Sequence, residues 1–480
     1  MFGLFTPFAP SYAKSLIYML QSTEYDPKAY LSWYWRALDF RYKAVAKRRT
    51  LERTKAARLL LLVLRAGILL QIVLAVLLAF RGWQNDSSQQ LFTASFVFLS
   101  YPIIWGHLIL LPMFFARKLV VVPKEKKLIK ASGKIFKEHP GIVIAVAGSY
   151  GKTTAKELLL TVLSEGKKVA ATPANKNVAS SHAAFARKLS GDEEVVVIEY
   201  GEGEPGDVAR FTATTEPDIA VITGIAPAHL DKYKSLDQAA KDIFSVAEGK
   251  TVKQVFVNQE SPDAKPYINR SFISYNIDGV LGWKVSRIKV EVDGMLFTMT
   301  HGKRKLNLKT QLVGRHLIGT LAMVVSIAAD AGLTDEQIKA GVAKTKPFEH
   351  RMQPRMLAGG WVIDDSYNGN LEGLRAGLAL LTELKAKRKI YVTPGLVDQG
   401  AESERVHKEV GRLIAEAKPD KVVLMKNSVT DWIQTGMDQH AYKGELIIED
   451  DPLNFYTNMS QVIAVGDVLL MQNDWTDNYN

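Results

Sequence analysis

The sequence predicts an α/β protein with a doubly wound central domain that contains a P-loop, a C-terminal Rossmann-like α/β domain, and two transmembrane helices before them. Three patterns predict this fold: two long apolar runs near the N-terminus, a glycine-punctuated turn, and short apolar runs that alternate with helical patterns. Such short runs are typical of parallel strands that helices bury on both faces. The length of 480 residues accommodates about three domains.

The charge is unevenly distributed along the chain, which carries +11 in total and contains no cysteine. Residues 1–58 hold 11 basic and 4 acidic side chains, and residues 117–130 hold 6 basic and 1 acidic. Because the rest of the chain is close to neutral, the basicity is local and does not indicate a nucleic-acid partner. The absence of cysteine excludes disulfides, thiolate zinc sites and cysteine nucleophiles.

The first 58 residues interleave aromatic and basic side chains. Trp33, Tyr34 and Trp35 stand beside Arg36, and three basic residues follow at 47–49. This composition is typical of an amphipathic segment on an anionic membrane surface. A helix that packs against its neighbours is the alternative.

Two apolar runs lie between the basic blocks. Residues 59–80 are interrupted by Arg65 and Gln71, and residues 91–116 contain no charged residue. Each run is long enough to cross a bilayer as a helix. The basic flanks predict a two-pass hairpin in the cytoplasmic membrane, with the N-terminus and everything after Arg117 in the cytoplasm. A pair of buried helices in a soluble core is the alternative.

A glycine-punctuated turn follows the apolar run 142–147 and leads into a helical pattern. It reads Gly148-Ser149-Tyr150-Gly151-Lys152-Thr153-Thr154. Glycines let backbone N–H groups approach phosphate oxygens, and the N-terminus of the following helix favours the same anions. We expect Lys152 to bind the β- and γ-phosphates of ATP and Thr153 to bind Mg²⁺. A tight turn that binds nothing would not need this lysine and threonine.

Three further residues are expected near the same edge of the sheet. Glu199 ends the predicted strand 195–199, and its carboxylate suits Mg²⁺. His229 follows the predicted strand 219–225 and is placed to reach the metal or the transferred phosphoryl group. Lys241 follows on a predicted helix. Taken singly, such a histidine is more often structural, and such a lysine is an ordinary surface residue.

The remaining pattern divides the chain into four parts. Residues 284–312 alternate and predict a small antiparallel sheet, and residues 315–331 predict a helix. A second α/β unit has predicted strands at 361–364, 390–393 and 421–425 and helices at 371–384 and 405–417. The predicted parts are the N-terminal segment 1–58, the transmembrane hairpin 59–117, the central ATP-binding domain 118–345 and the C-terminal domain 346–480.

Together these segments resemble the Mur ligase family, ATP-dependent enzymes that add amino acids or peptides to a nucleotide-linked peptidoglycan precursor. The resemblance covers about residues 140–480. Besides the P-loop it rests on Ile198-Glu199-Tyr200-Gly201, Pro205-Gly206-Asp207, Ala228-His229-Leu230 and Asp364-Asp365-Ser366-Tyr367-Asn368-Gly369-Asn370. The last motif favours the branch of the family that adds a dipeptide.

The resemblance implies ATP and Mg²⁺ as cofactors and a reaction in two steps. A substrate carboxylate attacks the γ-phosphate to give an acyl phosphate, and an amine then displaces phosphate to form an amide. It implies catalytic roles for Lys152, His229 and a carbamylated Lys241, with Thr153, Glu199 and Lys241 as metal ligands. It also assigns several residues to nucleotide binding or to family positions: Gly148, Ser149, Gly151, Thr154, Asn258, Arg351, Asp365, Tyr367, Asn368 and His407.

The chain departs from the family pattern at Val178, Ser181, Leu317 and Thr320, where the family has asparagine or glycine. The hairpin also replaces the UDP-sugar-binding domain of the peptidoglycan ligases. The expected acceptor is therefore a cell-wall precursor that is lipid-linked, polymeric or delivered by another cell-wall synthesis protein, and the expected donor is an amino acid or a D-Ala-D-Ala-like amine. The alternatives are a catalytically inactive nucleotide-binding scaffold at the membrane and a poly-amino-acid or folate-type ligase.

Overall fold

The computed structural model of the protein describes residues 3–23, 25–37, 39–42, 51–174, 176–226, 232–233, 235–367, 369–397 and 399–473. The chain divides into two compact units, Met1–Lys126 and Lys127–Asn480. The predicted boundaries at residues 58 and 117 fall inside the first unit, and the boundary near residue 345 falls inside the second.

The first unit is helical. Its elements are a short 3₁₀ helix at Gly3–Phe8, α1 Tyr12–Ser22, α2 Pro27–Arg36, α3 Lys55–Gln84, α4 Ser88–Leu108, α5 Leu110–Ala116 and a π-helical turn at Arg117–Val121. The next helix, α6 Val122–Glu138, contains the boundary between the two units. By length and composition, Lys55–Gln84 and Ser88–Glu138 are long and apolar enough to cross a membrane. Only 17% and 28% of their most apolar windows are buried, so both helices leave most of their apolar side chains exposed, unlike the core helices of a soluble domain.

Helices α3 and α4 are joined by hydrogen bonds that centre on Gln71. Trp105 donates its indole N–H to Gln71 Oε1 at 2.7 Å, and Gln71 donates its amide to Val97 O at 2.8 Å. Gly67 makes room for the indole, since a Cβ there would overlap the ring. The polar residue that interrupts the first apolar run therefore has its hydrogen bonds satisfied within the hairpin.

Helices α1 and α2 pack on α4 through tyrosine hydroxyls. Tyr12 and Tyr34 donate to Pro102 O at 2.6 and 2.9 Å, and Tyr30 donates to Gly106 O at 2.8 Å. Tyr30 is completely buried. These contacts agree with the packing interpretation of the N-terminal segment, which sequence analysis had left as the alternative.

The second unit begins with a six-stranded parallel sheet in the order β2-β3-β1-β4-β5-β6. The strands are β1 Ile142–Ala147, β2 Val169–Ala171, β3 Val195–Glu199, β4 Ile219–Ile222, β5 Gln254–Asn258 and β6 Ile273–Tyr275. Ile144 and Val146 face one hydrophobic core, while Val143 and Ala145 face another. This alternation confirms the predicted doubly wound sheet, because β1 is buried on both faces.

Helices cover both faces of this sheet, and a small antiparallel sheet follows it. The helices are α7 Lys152–Leu163, α8 Ala179–Ala186, α9 Asp207–Thr215, α10 Leu236–Phe244, α11 Ile318–Asp330 and α12 Asp335–Lys344. The antiparallel strands are β7 Gly279–Val280, β8 Trp283–Glu291, β9 Gly294–His301 and β10 Arg304–Thr310, in the order β10-β9-β8-β7. This second sheet confirms the prediction for residues 284–312.

The C-terminal sheet also has six strands, in the order β11-β12-β16-β13-β14-β15. They are β11 Gln353–Leu357, β12 Gly360–Asp365, β13 Lys389–Thr393, β14 Lys421–Met425, β15 Glu445–Glu449 and β16 Val468–Gln472. Only β11 runs antiparallel to its neighbour. The helices are α13 Leu371–Glu383, α14 Ser403–Ala417, α15 Thr430–Gln439, α16 Pro452–Thr457 and α17 Met459–Val462. Strands β11, β15 and β16 were not predicted from the sequence.

Candidate active site

The P-loop lies at the carboxyl end of β1. The chain continues from β1 to β2 and β3 on one side of the strand and then to β4 on its other side, so the loop lies at a topological switch point of the sheet. Gly148 has φ +143°, and a Cβ there would clash with Thr223 Oγ1. Gly151 has φ +75°. Ser149 donates its N–H to Gly224 O at 2.8 Å. Glycine is therefore required at 148 by both conformation and space, and the turn is held against the end of β4.

Lys152 begins α7, and its ammonium lies inside the turn. It donates to Gly148 O and lies 2.7 Å from Glu202 Oε2. Lys152 is 9% exposed and Glu202 is 6% exposed. The positive charge is thus held at the helix N-terminus, where an anion also gains from the helix dipole.

Thr153 and Glu199 meet as predicted. Residue Val146 of β1 pairs in register with Glu199 of β3, which brings the carboxylate next to the P-loop. Thr153 donates its hydroxyl to Glu199 Oε1 at 3.1 Å, and Asn177 donates its amide to the same oxygen at 3.2 Å. Glu199 Oε2 is buried and accepts no hydrogen bond from the described residues, and the Lys156 ammonium lies 3.3 Å from it.

These oxygens fit a hard cation. The Thr153 hydroxyl and the Glu199 carboxylate, 3.1 Å apart, are the kind of oxygen ligands that Mg²⁺ prefers near phosphate. Among the described residues, no group of three or more His, Cys, Asp or Glu side chains is placed to hold a metal. A Mg²⁺ ion at this site would therefore also draw on phosphate oxygens.

A buried lysine stands behind this cluster. Lys156 is completely buried one turn into α7, with Nζ 3.3 Å from Glu199 Oε2 and 3.2 Å from Glu157 Oε1. It also donates to Ala174 O, which precedes the segment that carries Asn177. Lys156 therefore connects α7, the Glu199 carboxylate and the backbone at Ala174 after β2.

The structure does not bring Lys241 to this cluster. Its side chain is 68% exposed, and its ammonium lies 2.8 Å from Asp237 Oδ2 on the preceding turn of α10. No hydrogen bond or ion pair joins it to Lys152, Thr153 or Glu199 within the described part of the chain. An unmodified ammonium is attracted to a carboxylate four residues earlier, which explains this orientation. His229 and Asn368 lie outside the described residues.

A cavity of about 410 Å³ opens beside the P-loop, between the central and C-terminal strands. Several predicted nucleotide-binding residues line it: Gly151, Thr154, Asn258, Arg351, Asp365 and Tyr367. The departures Leu317 and Thr320 line it too. The structure thus brings together, in one cavity, predicted residues that lie as far apart in the sequence as Gly151 and Tyr367.

The cavity walls are positioned by specific contacts. Asn258 donates its amide to Thr223 O at 2.9 Å, and the Arg351 guanidinium lies 4.4 Å from the centre of the Tyr367 ring. Burial raises the pKa of the Asp365 carboxyl to about 6, although hydrogen bonds from Gln472 and the Met352 N–H act in the opposite direction. Asp365 therefore titrates closer to neutrality than an ordinary aspartate.

His407, which the family resemblance singled out, is surrounded by contacts that stabilise the fold. It is completely buried, accepts the Leu396 N–H at Nε2 at 3.0 Å, and contacts Ser403 O through Nδ1 at 2.6 Å. Burial lowers its pKa. The imidazole is therefore neutral and holds the loop after β13.

Sequence reasoning missed three residues of this region. Glu202 contacts Lys152, Lys156 contacts Glu199, and Tyr150 lines the cavity with its ring over Gly224. A signal existed for Lys156, because it shares a helix face with the buried Leu159 and Leu163. Glu202 carried none, since its partner lies 50 residues away.

Comparison with known proteins agrees with this geometry. Residues 146–328 match the Mur ligase middle domain, and residues 350–475 match the Mur ligase glutamate ligase domain. The chain is 28% identical over 319 residues to the UDP-N-acetylmuramoyl-tripeptide–D-alanyl-D-alanine ligase of Escherichia coli (strain K12), covering 64% of this chain and 69% of that protein. Neither domain match includes residues 1–145.

Two solved structures share the fold. MurF from Acinetobacter baumannii has a TM-score of 0.63 at 21% identity, covering 74% of this chain and 78% of that one. MurF ligase from Thermotoga maritima in complex with ADP has a TM-score of 0.63 at 22% identity, covering 73% and 80%. With two matched domains in this order, the chain belongs to the Mur ligase family of ATP-dependent, ADP-forming ligases, which use ATP and Mg²⁺.

Proposed function

We propose that this protein is a membrane-anchored ligase of cell-envelope synthesis that activates a carboxylate of a cell-wall precursor with ATP and joins it to an amine. The observation that carries the proposal is the meeting of Lys152, Thr153 and Glu199 beside the 410 Å³ cavity. A nucleotide-binding scaffold would not need the oxygen ligands and the lysine together.

The reaction requires two anions to meet. A substrate carboxylate attacks the γ-phosphorus of ATP, ADP leaves, and an acyl phosphate forms; an amine then attacks the acyl carbon, and phosphate leaves with the bridging oxygen. Lys152 offsets the repulsion by binding phosphate oxygens. Thr153 and Glu199 would hold the Mg²⁺ ion, which would supply further positive charge when bound. Closure of the C-terminal strands over the cavity would exclude water from the acyl phosphate.

The cavity suits the nucleoside part of ATP. Asn258 and Asp365 offer an amide and a carboxylate to the adenosine, with Tyr367 nearby and Arg351 from the segment between the two sheets. Asn368 is assigned to this site on the family resemblance alone. Gly148, Ser149, Gly151 and Thr154 complete the phosphate turn. These assignments rest on the lining of the cavity and on the family resemblance.

His229 and Lys241 remain proposed members of a second metal site. A carbamate on Lys241 would replace a cation with an oxygen ligand, and this change would also remove its attraction to Asp237. The side chain would then be free to turn away from that carboxylate.

The substrate class follows from the relatives. The curated relative's name specifies a UDP-linked tripeptide and D-alanyl-D-alanine. We extend this to a peptide carboxylate on a cell-wall precursor and to an amino acid or D-Ala-D-Ala-like dipeptide as the donor. Val178 and Ser181 depart from the family pattern near Asn177, and residues 1–145 lie outside both domain matches. We therefore expect the acceptor peptide to be attached to a carrier other than the UDP-sugar of the relatives, and we propose a lipid-linked precursor.

The membrane anchor is the third part of the proposal. Apolar side chains of α3 and α4 such as Leu70, Phe92 and Phe96 are more than 60% exposed, which lipid would cover. Basic residues flank the hairpin on both sides. The N-terminus and the second unit would then lie in the cytoplasm, where ATP is present.

The test is ADP and phosphate release by the full chain in detergent. Candidate acceptors are offered with and without D-alanyl-D-alanine, and the Lys152→Ala variant serves as the control. The proposal expects turnover that needs both substrates and disappears in the variant. ATP binding without turnover for any pair of substrates would favour the scaffold, and equal turnover in Lys152→Ala would refute the phosphate assignment.

A further inference from the structure

The P-loop lysine has an acidic partner that the reaction scheme does not use. Glu202 Oε2 lies 2.7 Å from Lys152 Nζ, and both side chains are at least nine-tenths buried. Glu202 belongs to the turn that follows Glu199. It is therefore a second carboxylate at the phosphate-binding edge of the sheet.

The turn that carries Glu202 is fixed at both ends. Gly201 donates its N–H to Asn177 O at 2.8 Å, and Glu204 donates its N–H to Asp207 Oδ2 at 2.9 Å. The Glu204 carbonyl also accepts the Tyr233 hydroxyl at 3.2 Å. The backbone thus holds the Glu202 carboxylate close to Lys152, so the ion pair is a built feature of the fold.

A phosphate that approaches Lys152 competes with Glu202 for the ammonium, because Gly148 O and Glu202 Oε2 already accept two of its three hydrogens. Charge-assisted hydrogen bonds are short and directional, and the Lys152 ammonium already gives one hydrogen to Gly148 O. A carboxylate left beside incoming phosphates would also repel them, most strongly where water is excluded. Any phosphate that binds Lys152 must therefore displace Glu202 or share the ammonium with it.

We propose that Glu202 competes with nucleotide phosphates for Lys152, so that ATP binding exchanges one buried anion for another and Glu202 sets nucleotide affinity. The inference rests on the proposed phosphate-binding role of Lys152. Glu202 weakens the binding of ATP and ADP and leaves the binding of adenosine unchanged. It also favours ADP release, because its carboxylate returns to the ammonium as the phosphates depart.

The chain offers a matched control for simple charge effects. Glu204 lies two residues further along the same turn, carries the same charge and is exposed. Glu204→Gln changes the net charge as much as Glu202→Gln but leaves the Lys152 pair intact. A difference between the two variants therefore reports on the ion pair.

The test is calorimetric titration of the full chain in detergent with ATP, ADP and adenosine, each with Mg²⁺ and with EDTA. We expect Glu202→Gln to tighten ATP and ADP binding on the order of tenfold, with adenosine binding unchanged. Glu204→Gln should bind all three like the wild type. Lys152→Met should weaken ATP binding and keep adenosine binding.

Each other outcome overturns a defined part of this scheme. Unchanged or weaker ATP binding in Glu202→Gln, with weaker binding in Lys152→Met, would remove the competition and keep the phosphate assignment. Equal tightening in Glu204→Gln would show a general charge effect. Wild-type ATP binding in Lys152→Met would remove the phosphate assignment itself. If Glu202→Gln also loses adenosine binding, the Glu202→Asp variant is titrated in its place. Its shorter side chain should also tighten ATP binding, but less than Glu202→Gln is expected to, and no tightening would refute the competition.

Discussion

Replacing Lys156 with methionine should destabilise the second unit strongly. Methionine has a similar length but no charge, so the change removes the ammonium and keeps most of the packing. The lost contacts are those to Glu199 Oε2 at 3.3 Å, to Glu157 Oε1 at 3.2 Å, and to Ala174 O. Glu199, itself 2% exposed, would be left as a buried carboxylate without a cation.

The magnitude follows from burial. Removing one partner of a buried ion pair costs about 3–5 kcal/mol, because the other charge stays desolvated. The Glu157 side chain is 26% exposed, and its pair adds at most about 1 kcal/mol. We therefore expect a loss of about 3–5 kcal/mol, which lowers the melting temperature by roughly 4–7 °C for a unit as large as Lys127–Asn480.

Thermal unfolding of the full chain in detergent, followed by tryptophan fluorescence, measures this loss. The matched control is Lys253→Met, since Lys253 pairs with Asp218 on the surface and is 77% exposed; it should melt close to the wild type. The double variant Lys156→Met/Glu199→Gln should recover much of the loss, because the buried carboxylate is gone. A single variant as stable as the wild type, or a double variant no more stable than the single, would refute the reasoning.

Three further predictions concern the site and the anchor. The pKa of Asp365 is raised to about 6 from its usual 3.8, so its ionisation lowers the stability of the folded wild type as the pH rises from about 4 through 6. The Asp365→Asn variant should therefore gain thermal stability relative to the wild type between pH 4 and pH 8. Parallel plots of melting temperature against pH for the two proteins would contradict this. Lys241→Ala should keep ATP binding and lose turnover, with partial recovery by added short carboxylates, whereas full activity would make Lys241 an ordinary surface lysine. The full chain should stay in the membrane pellet after alkaline carbonate extraction, and protease added from outside the cytoplasmic membrane should leave residues 127–480 intact; release into the supernatant or cleavage there would contradict the anchor.

Three adjacent strands of the central sheet, β3, β1 and β4, could be predicted from the sequence because they are continuous apolar runs, whereas β2, β5 and β6 were not predicted. Strands β1 and β3 have the predicted bounds. Strand β4 ends at Ile222, short of the predicted residue 225. The next residue, Thr223, donates its hydroxyl to Tyr150 O and so supports the P-loop, a contact between residues far apart in the chain that no local pattern reveals.

The C-terminal sheet was less predictable, because the positions of its strands also depend on contacts between residues far apart in the chain. Strand β16 comes last in the chain but lies between β12 and β13, with Gln472 in register with Asp365. Its short apolar stretch carries no local sign of that position. Strand β15 has intermediate and exposed residues along its length, so no alternation of apolar and polar residues marked it.

The site shows the same division. The P-loop was recognisable because its residues are contiguous and its glycines have a clear physical role. The placements of Glu202 and Lys156 depend on long-range contacts, which no local pattern reveals. Lys241 shows the reverse case: the family resemblance implies a metal ligand, and the structure places its ammonium 2.8 Å from Asp237 Oδ2.

Transfer of oxygen from the acceptor to phosphate tests the central claim most directly. If an acceptor carboxylate attacks ATP, its ¹⁸O label bridges carbon and phosphorus in the acyl phosphate and leaves with phosphate when the amine attacks. Mass spectrometry of the phosphate should then show one ¹⁸O for each amide formed. With the labelled acceptor present, unlabelled phosphate released as the amide forms, or unlabelled phosphate from ATP hydrolysis without amide formation, would contradict activation of a carboxylate at this site.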